Sequence, residues 1–257
     1  MTTFRQLRIL FLLLVLLVVA MGTWLAKVRT TSWDKPLAVV LYPINADHSA
    51  AAKAYISGLK VKDFHAIEEF FSDEAGHYGV SLVKPVEIDL GPVLKELPPP
   101  PPEDRNIVGV MWWSLKVRYW AWQIRRKMGP PAQIQIFVLY HDPANNPRLA
   151  HSLGLQKGLL GVVHAFASAR EAGGNQVVIA HELLHTLGAT DKYDMRTNLP
   201  LYPIGYAEPE REPLYPQALA EIMAGRIPLS AGEARQAYSL NDTVVGEYTA
   251  REIRWIK

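Results

Sequence analysis

His181-Glu182-Leu183-Leu184-His185 constrains this chain more than any other stretch, and it runs on through Gly188 to Asp191 as H-E-x-x-H-x-x-G-x-x-D. An α-helix places residues i and i+4 on one face, so this spacing aims two imidazoles at one point. Val177-Val178-Ile179-Ala180 precedes the pair, and Leu183, Leu184 and Leu187 accompany it. A helix this apolar is predicted to be buried, and buried histidines need partners. The predicted partner is a metal ion shared by His181 and His185. Glu182 stands beside them as a candidate general base. Gly188 can take a left-handed conformation, end the helix and turn the chain. That turn could return Asp191 as a third ligand. Two imidazoles, a carboxylate and an open position suit catalytic zinc, Zn2+. Asp194 is the alternative carboxylate, as ligand or as an acceptor that orients a histidine.

The motif resembles that of the metzincin metallopeptidases, whose snapalysin-like members carry Asp in the last position. The resemblance implies a tight turn with a methionine beneath the metal. Glu221-Ile222-Met223-Ala224-Gly225 looks like that turn, so Met223 is expected as a hydrophobic floor and not as a ligand. The gluzincin arrangement would instead take its third ligand from a downstream helix. Glu208, Glu210 and Glu212 lie at about that distance, but their proline-rich surroundings (EPEREP) argue against a helix.

The upstream pattern predicts an α/β fold. Residues 37–42 read as a buried strand, 50–71 as helical stretches, 83–90 as a second strand, 133–140 as a third and 159–167 as a fourth. The motif helix is expected from about Asn175. The resemblance implies a metzincin-like mixed twisted sheet, with its fourth strand an antiparallel edge where a peptide substrate could pair. His164 falls on that expected edge. The archaemetzincin branch is similar in layout, with a proline-rich segment and a helix between the second and third strands. That branch also carries a cysteine-bound second zinc, and this chain has no cysteine.

Residues 9–26 (ILFLLLVLLVVAMGTWLA) are almost wholly apolar, with Arg5 and Arg8 before them and Lys27 and Arg29 after. A run of that length predicts a single-pass membrane anchor, a cleaved signal peptide being the alternative. The expected organisation is an anchor over 1–28, a linker over 29–36 and a catalytic domain over 37–257. The expected location is the membrane, with the domain outside the cytoplasm. A net charge of +2, with no obvious basic face, argues against nucleic acid as a partner.

Residues 106–128 predict a helix with two apolar rows. Trp113, Val117, Trp120 and Ile124 form one; Trp112, Leu115, Tyr119 and Trp122 form the other. Such a face can pack on a sheet or lie in a membrane interface. Tyr202 and Tyr206, in the irregular segment 199–216, are candidates to hydrogen-bond an oxyanion. Residues 230–239 read as a C-terminal helix, with Ser230 as N-cap and Glu233 completing a capping box.

The function these residues imply is zinc-dependent hydrolysis of peptide bonds by a metal-activated water, with Glu182 as general base. One alternative is a catalytically silent metal-binding protein of the same fold that recognises a peptide or protein. Another is a hydrolase of non-peptide amides. Glu182 disfavours the silent alternative, because a purely structural site has no use for that base.

Overall fold

The computed structural model describes residues 2–102, 106–128 and 132–256, without the side chains of residues 2–3, 15, 18–20, 22–29 and 157. The elements in chain order are α1 (Thr2–Thr31), β1 (Leu37–Asn45), α2 (Ala50–Gly58), α3 (His65–His77), β2 (Val86–Leu90), α4 (Ile107–Met128), β3 (Ile134–His141), β4 (Leu153–Leu155), β5 (Leu160–Phe166), α5 (Ala172–Leu187), β6 (Ala220–Glu221), β7 (Arg226–Ser230), β8 (Glu233–Gln236), β9 (Thr243–Val244) and α6 (Glu247–Glu252). The chain is α/β with a mixed sheet.

Five strands form the main sheet in the order β2-β1-β3-β5-β4. The first four run parallel and β4 runs antiparallel to β5. β1 and β3 are buried along almost their whole length. Continuous burial follows from cover on both faces, which parallel strands require. On one face, Val39, Leu41, Ile136 and Val163 meet Phe71 from α3 and Leu183 and Leu187 from α5. On the other, Val40, Tyr42, Phe137 and Leu139 meet Val117, Trp120 and Ile124 from α4.

Three expectations need correction. First, no helix among the described residues is long and apolar enough to cross a membrane. The expected anchor at residues 9–26 falls in α1, partly on side chains outside the description. The single-pass anchor and the membrane location built on it are therefore withdrawn. Within residues 29–36, Thr30, Thr31 and Trp33 are buried, and Trp33 donates to the Ile253 carbonyl at 2.8 Å.

Second, the strand predicted over 159–167 is β5, which is parallel and interior. The antiparallel edge is the shorter β4 before it. Three residues with two half-buried positions give too weak a pattern to read from sequence. Third, residues 230–239 form no helix. β7 and β8 make a hairpin closed at Ala231-Gly232. Ser230 Oγ accepts from the Gly232 amide, so it serves a turn and not a helix cap. Ile227 and Ala237 pack with Ala220 in a small core of their own, and that burial decides the conformation.

Candidate metal centre

Helix α5 lies against β5 and β4, with Ile179, Ala180, Leu183, Leu184 and Leu187 fully buried. Gly188 ends it at φ +109°, its amide reaching the Leu184 and His185 carbonyls. A side chain there would strain the backbone and strike Gln156, since a Cβ would lie 2.5 Å from Nε2. The chain then turns, and His181, His185 and Asp191 come together with their ligand atoms within 4.8 Å of one another.

The hydrogen bonds behind the two rings decide what the front atoms can do. His181 Nδ1 lies 2.9 Å from the Ile222 carbonyl, and His185 Nδ1 lies 2.8 Å from the Ala189 carbonyl. A carbonyl only accepts, so each Nδ1 carries a proton, and each neutral ring presents an Nε2 lone pair. Those lone pairs face Asp191 Oδ1 at 3.3 and 3.2 Å. Oδ1 is buried with no donor in hydrogen-bond geometry, as is Oε2 of Glu182. Three electron-pair donors converging on one point fit a cation, and the donor set fits zinc.

Electrostatics follow the same geometry. Burial opposes charge on His181, but Asp191, Glu182 and the Ile222 carbonyl outweigh it and raise its pKa. Burial raises Glu182 above the ordinary carboxylate value, with the two histidines opposing. Burial also works against ionised Asp191, yet without a metal the histidines, once they carry a second proton on Nε2, hold its carboxyl well below the usual range.

The loop that carries Asp191 is braced on both sides. Lys192, almost fully buried, donates from Nζ to the Thr190 carbonyl at 2.9 Å, to Thr190 Oγ1 at 2.8 Å and to Glu252 Oε2 at 2.7 Å. A buried ammonium so fully paired is one the fold can tolerate. The Lys192 amide donates to the Met223 carbonyl at 3.0 Å, joining this loop to the 221–225 turn. Glu221 shapes that turn. Its carboxylate accepts from the Ala224 amide at 3.0 Å, the Gly246 amide at 3.2 Å and Thr249 Oγ1 at 2.7 Å. Met223 is fully buried in the same core as Leu183, Leu184 and Leu187.

Asp194 is elsewhere. Its Oδ1 accepts from the Arg196 and Thr197 amides at 2.8 and 3.0 Å, which is a loop-forming role. Glu208 pairs with Arg211 at 3.0 Å, and Glu208, Glu210 and Glu212 stand apart from the His181 cluster. Tyr206 is buried with its hydroxyl 2.7 Å from that of Tyr215, and Tyr202 is exposed. Neither lines the cleft.

The cleft, about 730 Å³, is lined by His181, Glu182, His151, His164, Tyr193 and Tyr238 among others. Sequence reasoning missed two members of this site. Tyr193 lies beside Asp191; burial and the Asp191 and Glu182 charges raise its pKa. Its signal was only its place two residues beyond Asp191. Gly154 of β4 is the other. A Cβ there would lie 2.5 Å from the Glu182 carbonyl and from His185 Cβ, and 3.0 Å from Glu182 Oε2. The Gly154 amide also favours the Glu182 carboxylate. A single glycine in a weak three-residue strand carries no sequence signal for that approach. Comparison with known proteins found no matching family model and no matching curated protein.

Proposed function

We propose that this chain is a zinc-dependent peptidase of metzincin type, with His181, His185 and Asp191 holding the metal. The observation that carries the proposal is the convergence of two Nε2 lone pairs and one buried, undonated carboxylate oxygen beside Glu182. Bound zinc supplies Lewis acidity, polarising a carbonyl and making an attacking water more acidic. Glu182 takes the proton from that water and delivers it to the leaving amine. Burial raises its pKa, which suits a group that must both accept and return a proton. The Ile222 and Ala189 carbonyls fix the tautomer and direction of the two histidines.

A peptide is the favoured substrate because of β4. It is the antiparallel end strand of the sheet, and Gly154 puts its backbone against Glu182. An extended peptide laid along such an edge gains main-chain hydrogen bonds and brings its carbonyls past the base. The order of the sheet and the buried Met223 turn also support the metzincin reading.

The test is elemental analysis of the purified chain together with digestion of an unbiased peptide library. The expected result is about one zinc per chain and chelator-sensitive cleavage. Zinc without cleavage favours the silent binding protein. Absence of zinc with cleavage intact refutes the site.

A further inference from the structure

Helix α4 covers the face of the sheet opposite α5, but only with one side. Val117, Trp120, Ala121 and Ile124 are buried there. Trp113 is half-buried and donates from Nε1 to the Pro99 carbonyl at 2.8 Å. The outward side should be polar if water were its partner. Instead Ile107, Met111, Trp112, Leu115, Tyr119 and Trp122 stand exposed along it. They fall on one side of the helix and make one continuous stripe, about 22 Å long at 1.5 Å per residue.

The charges carried by the helix itself have one sign. The helix contains no Asp or Glu. Lys116, Arg125, Arg126 and Lys127 are exposed and have no ion-pair partner among the described residues. Two of them lie over the stripe's own indoles: Lys116 Nζ is 5.8 Å from the Trp112 ring and the Arg126 guanidinium 5.1 Å from the Trp122 ring. Aliphatic side chains, aromatic rings with a polar edge and cations on long apolar stems match the layers of a lipid headgroup boundary, in that order of depth. An acidic protein could meet the cations, but it would not ordinarily need a straight stripe of this length with both indoles turned outward.

We propose that α4 rests its exposed stripe in the surface of an anionic lipid bilayer, lying in the plane of that surface without crossing it. The aliphatic and aromatic side chains enter the acyl boundary. Lys116, Arg125, Arg126 and Lys127 meet lipid phosphate and carboxylate groups. This binding is independent of the chemistry in the cleft.

The absence of cysteine permits a local test in the full chain. Leu115→Cys, and separately Tyr119→Cys, each gives one thiol for a nitroxide label on the stripe. Val83→Cys, at a 91% exposed loop position, gives the control. Each labelled protein is mixed with vesicles of phosphatidylcholine alone or with phosphatidylserine added. At the stripe, serine-lipid vesicles should raise label contact with oxygen and shield the label from a water-soluble nickel chelate. The control label should stay in water. Raising the salt should release the stripe, and Lys116→Gln with Arg126→Gln should lower the lipid-embedded fraction at limiting lipid. One basic residue near the surface is worth about fivefold, so the pair should cost about 25-fold. Labels at 115 and 119 that remain as open to nickel as in buffer would overturn the proposal. So would equal burial in uncharged vesicles, or labels immobilised without lipid while the mass doubles, which would make the stripe a contact between two copies.

Discussion

The cleft is lined by one member of each of two histidine pairs, His181 and His164, and the two pairs are opposite in character. His181 and His185 come from one helix, with ring centroids 4.7 Å apart and planes at 84°. His164 and His141 come from neighbouring parallel strands, stacked at 26° with centroids 5.2 Å apart. In the first pair both Nδ1 atoms are spent on backbone carbonyls, so both Nε2 lone pairs turn to Asp191. In the second, His141 Nε2 and His164 Nδ1 lie 3.0 Å apart and satisfy each other. The protonation tendencies diverge accordingly. His181 is raised by its carboxylate neighbours once burial is overcome. Burial, then the nearby His141, pushes His164 down to about 4. Two imidazoles in contact are therefore not by themselves a candidate metal site. The carbonyls behind the rings and the carboxylate in front make the difference.

The sharpest break of this comparison is metal loss. His181→Ala or His185→Ala should abolish stoichiometric zinc, while His141→Ala or His164→Ala should keep about one zinc per chain. Elemental analysis after gel filtration checks both halves. Zinc retained in the first two variants, or lost in the last two, would reverse the assignment.

Next in size is Glu182→Gln. The amide preserves the shape and removes the base, so zinc should remain while peptide turnover falls by about 100- to 10,000-fold. Turnover near that of the unaltered chain would remove Glu182 from the chemistry.

A smaller effect separates the two aspartates. Asp191→Ala deletes the carboxylate that both histidines face and should weaken zinc binding by more than about 100-fold, beyond the usual cost of losing an outer partner. Asp194→Ala should cost the loop two hydrogen bonds and leave zinc affinity nearly unchanged. Competition with a chromophoric chelator reads both, and the opposite ranking would make Asp194 the ligand.

How legible the two histidine contacts were differs as much as their chemistry. His181 and His185 are four residues apart on one helix, so their meeting is fixed by helix geometry and can be read locally. The choice of Asp191 over Asp194 rests on its offset from Gly188, which matches the resembled metzincin pattern, and Gly188 does adopt the left-handed conformation such a turn needs. His141 and His164 are 23 residues apart and meet only because β3 and β5 pair parallel in one register. Nothing local encodes a register across two strands. The same limit explains Gly154, whose approach to Glu182 depends on where β4 docks. It also explains the 230–239 segment, where Ser and Glu at capping spacing looked helical until burial of Ile227 and Ala237 set a hairpin. In α1, an apolar composition alone suggested a span that the described residues do not form.

The smallest expected effect tests the second histidine pair through stability, with chelator present so that zinc does not intervene. His164 sits at about 4 in the folded chain, against an ordinary 6.5. Above 6.5 the ring is neutral folded or unfolded, and the folded chain keeps its full advantage. As the pH falls, the unfolded chain takes up the proton first, so stability declines from 6.5 downward and the loss is complete as pH passes through the folded value. Burial of His141 lowers its pKa too, with Asp47 opposing, so it adds to the same acid slope. His164→Asn keeps a polar side chain facing His141 and cannot be protonated in this range. Its urea midpoint should therefore change less between about pH 7 and pH 4.5 than that of the unaltered chain. Metal binding at neutral pH should be the same in both, since the substituted ring is not among the three donors. An acid slope undiminished in the variant would mean that the His141–His164 contact is not what burial makes costly in acid.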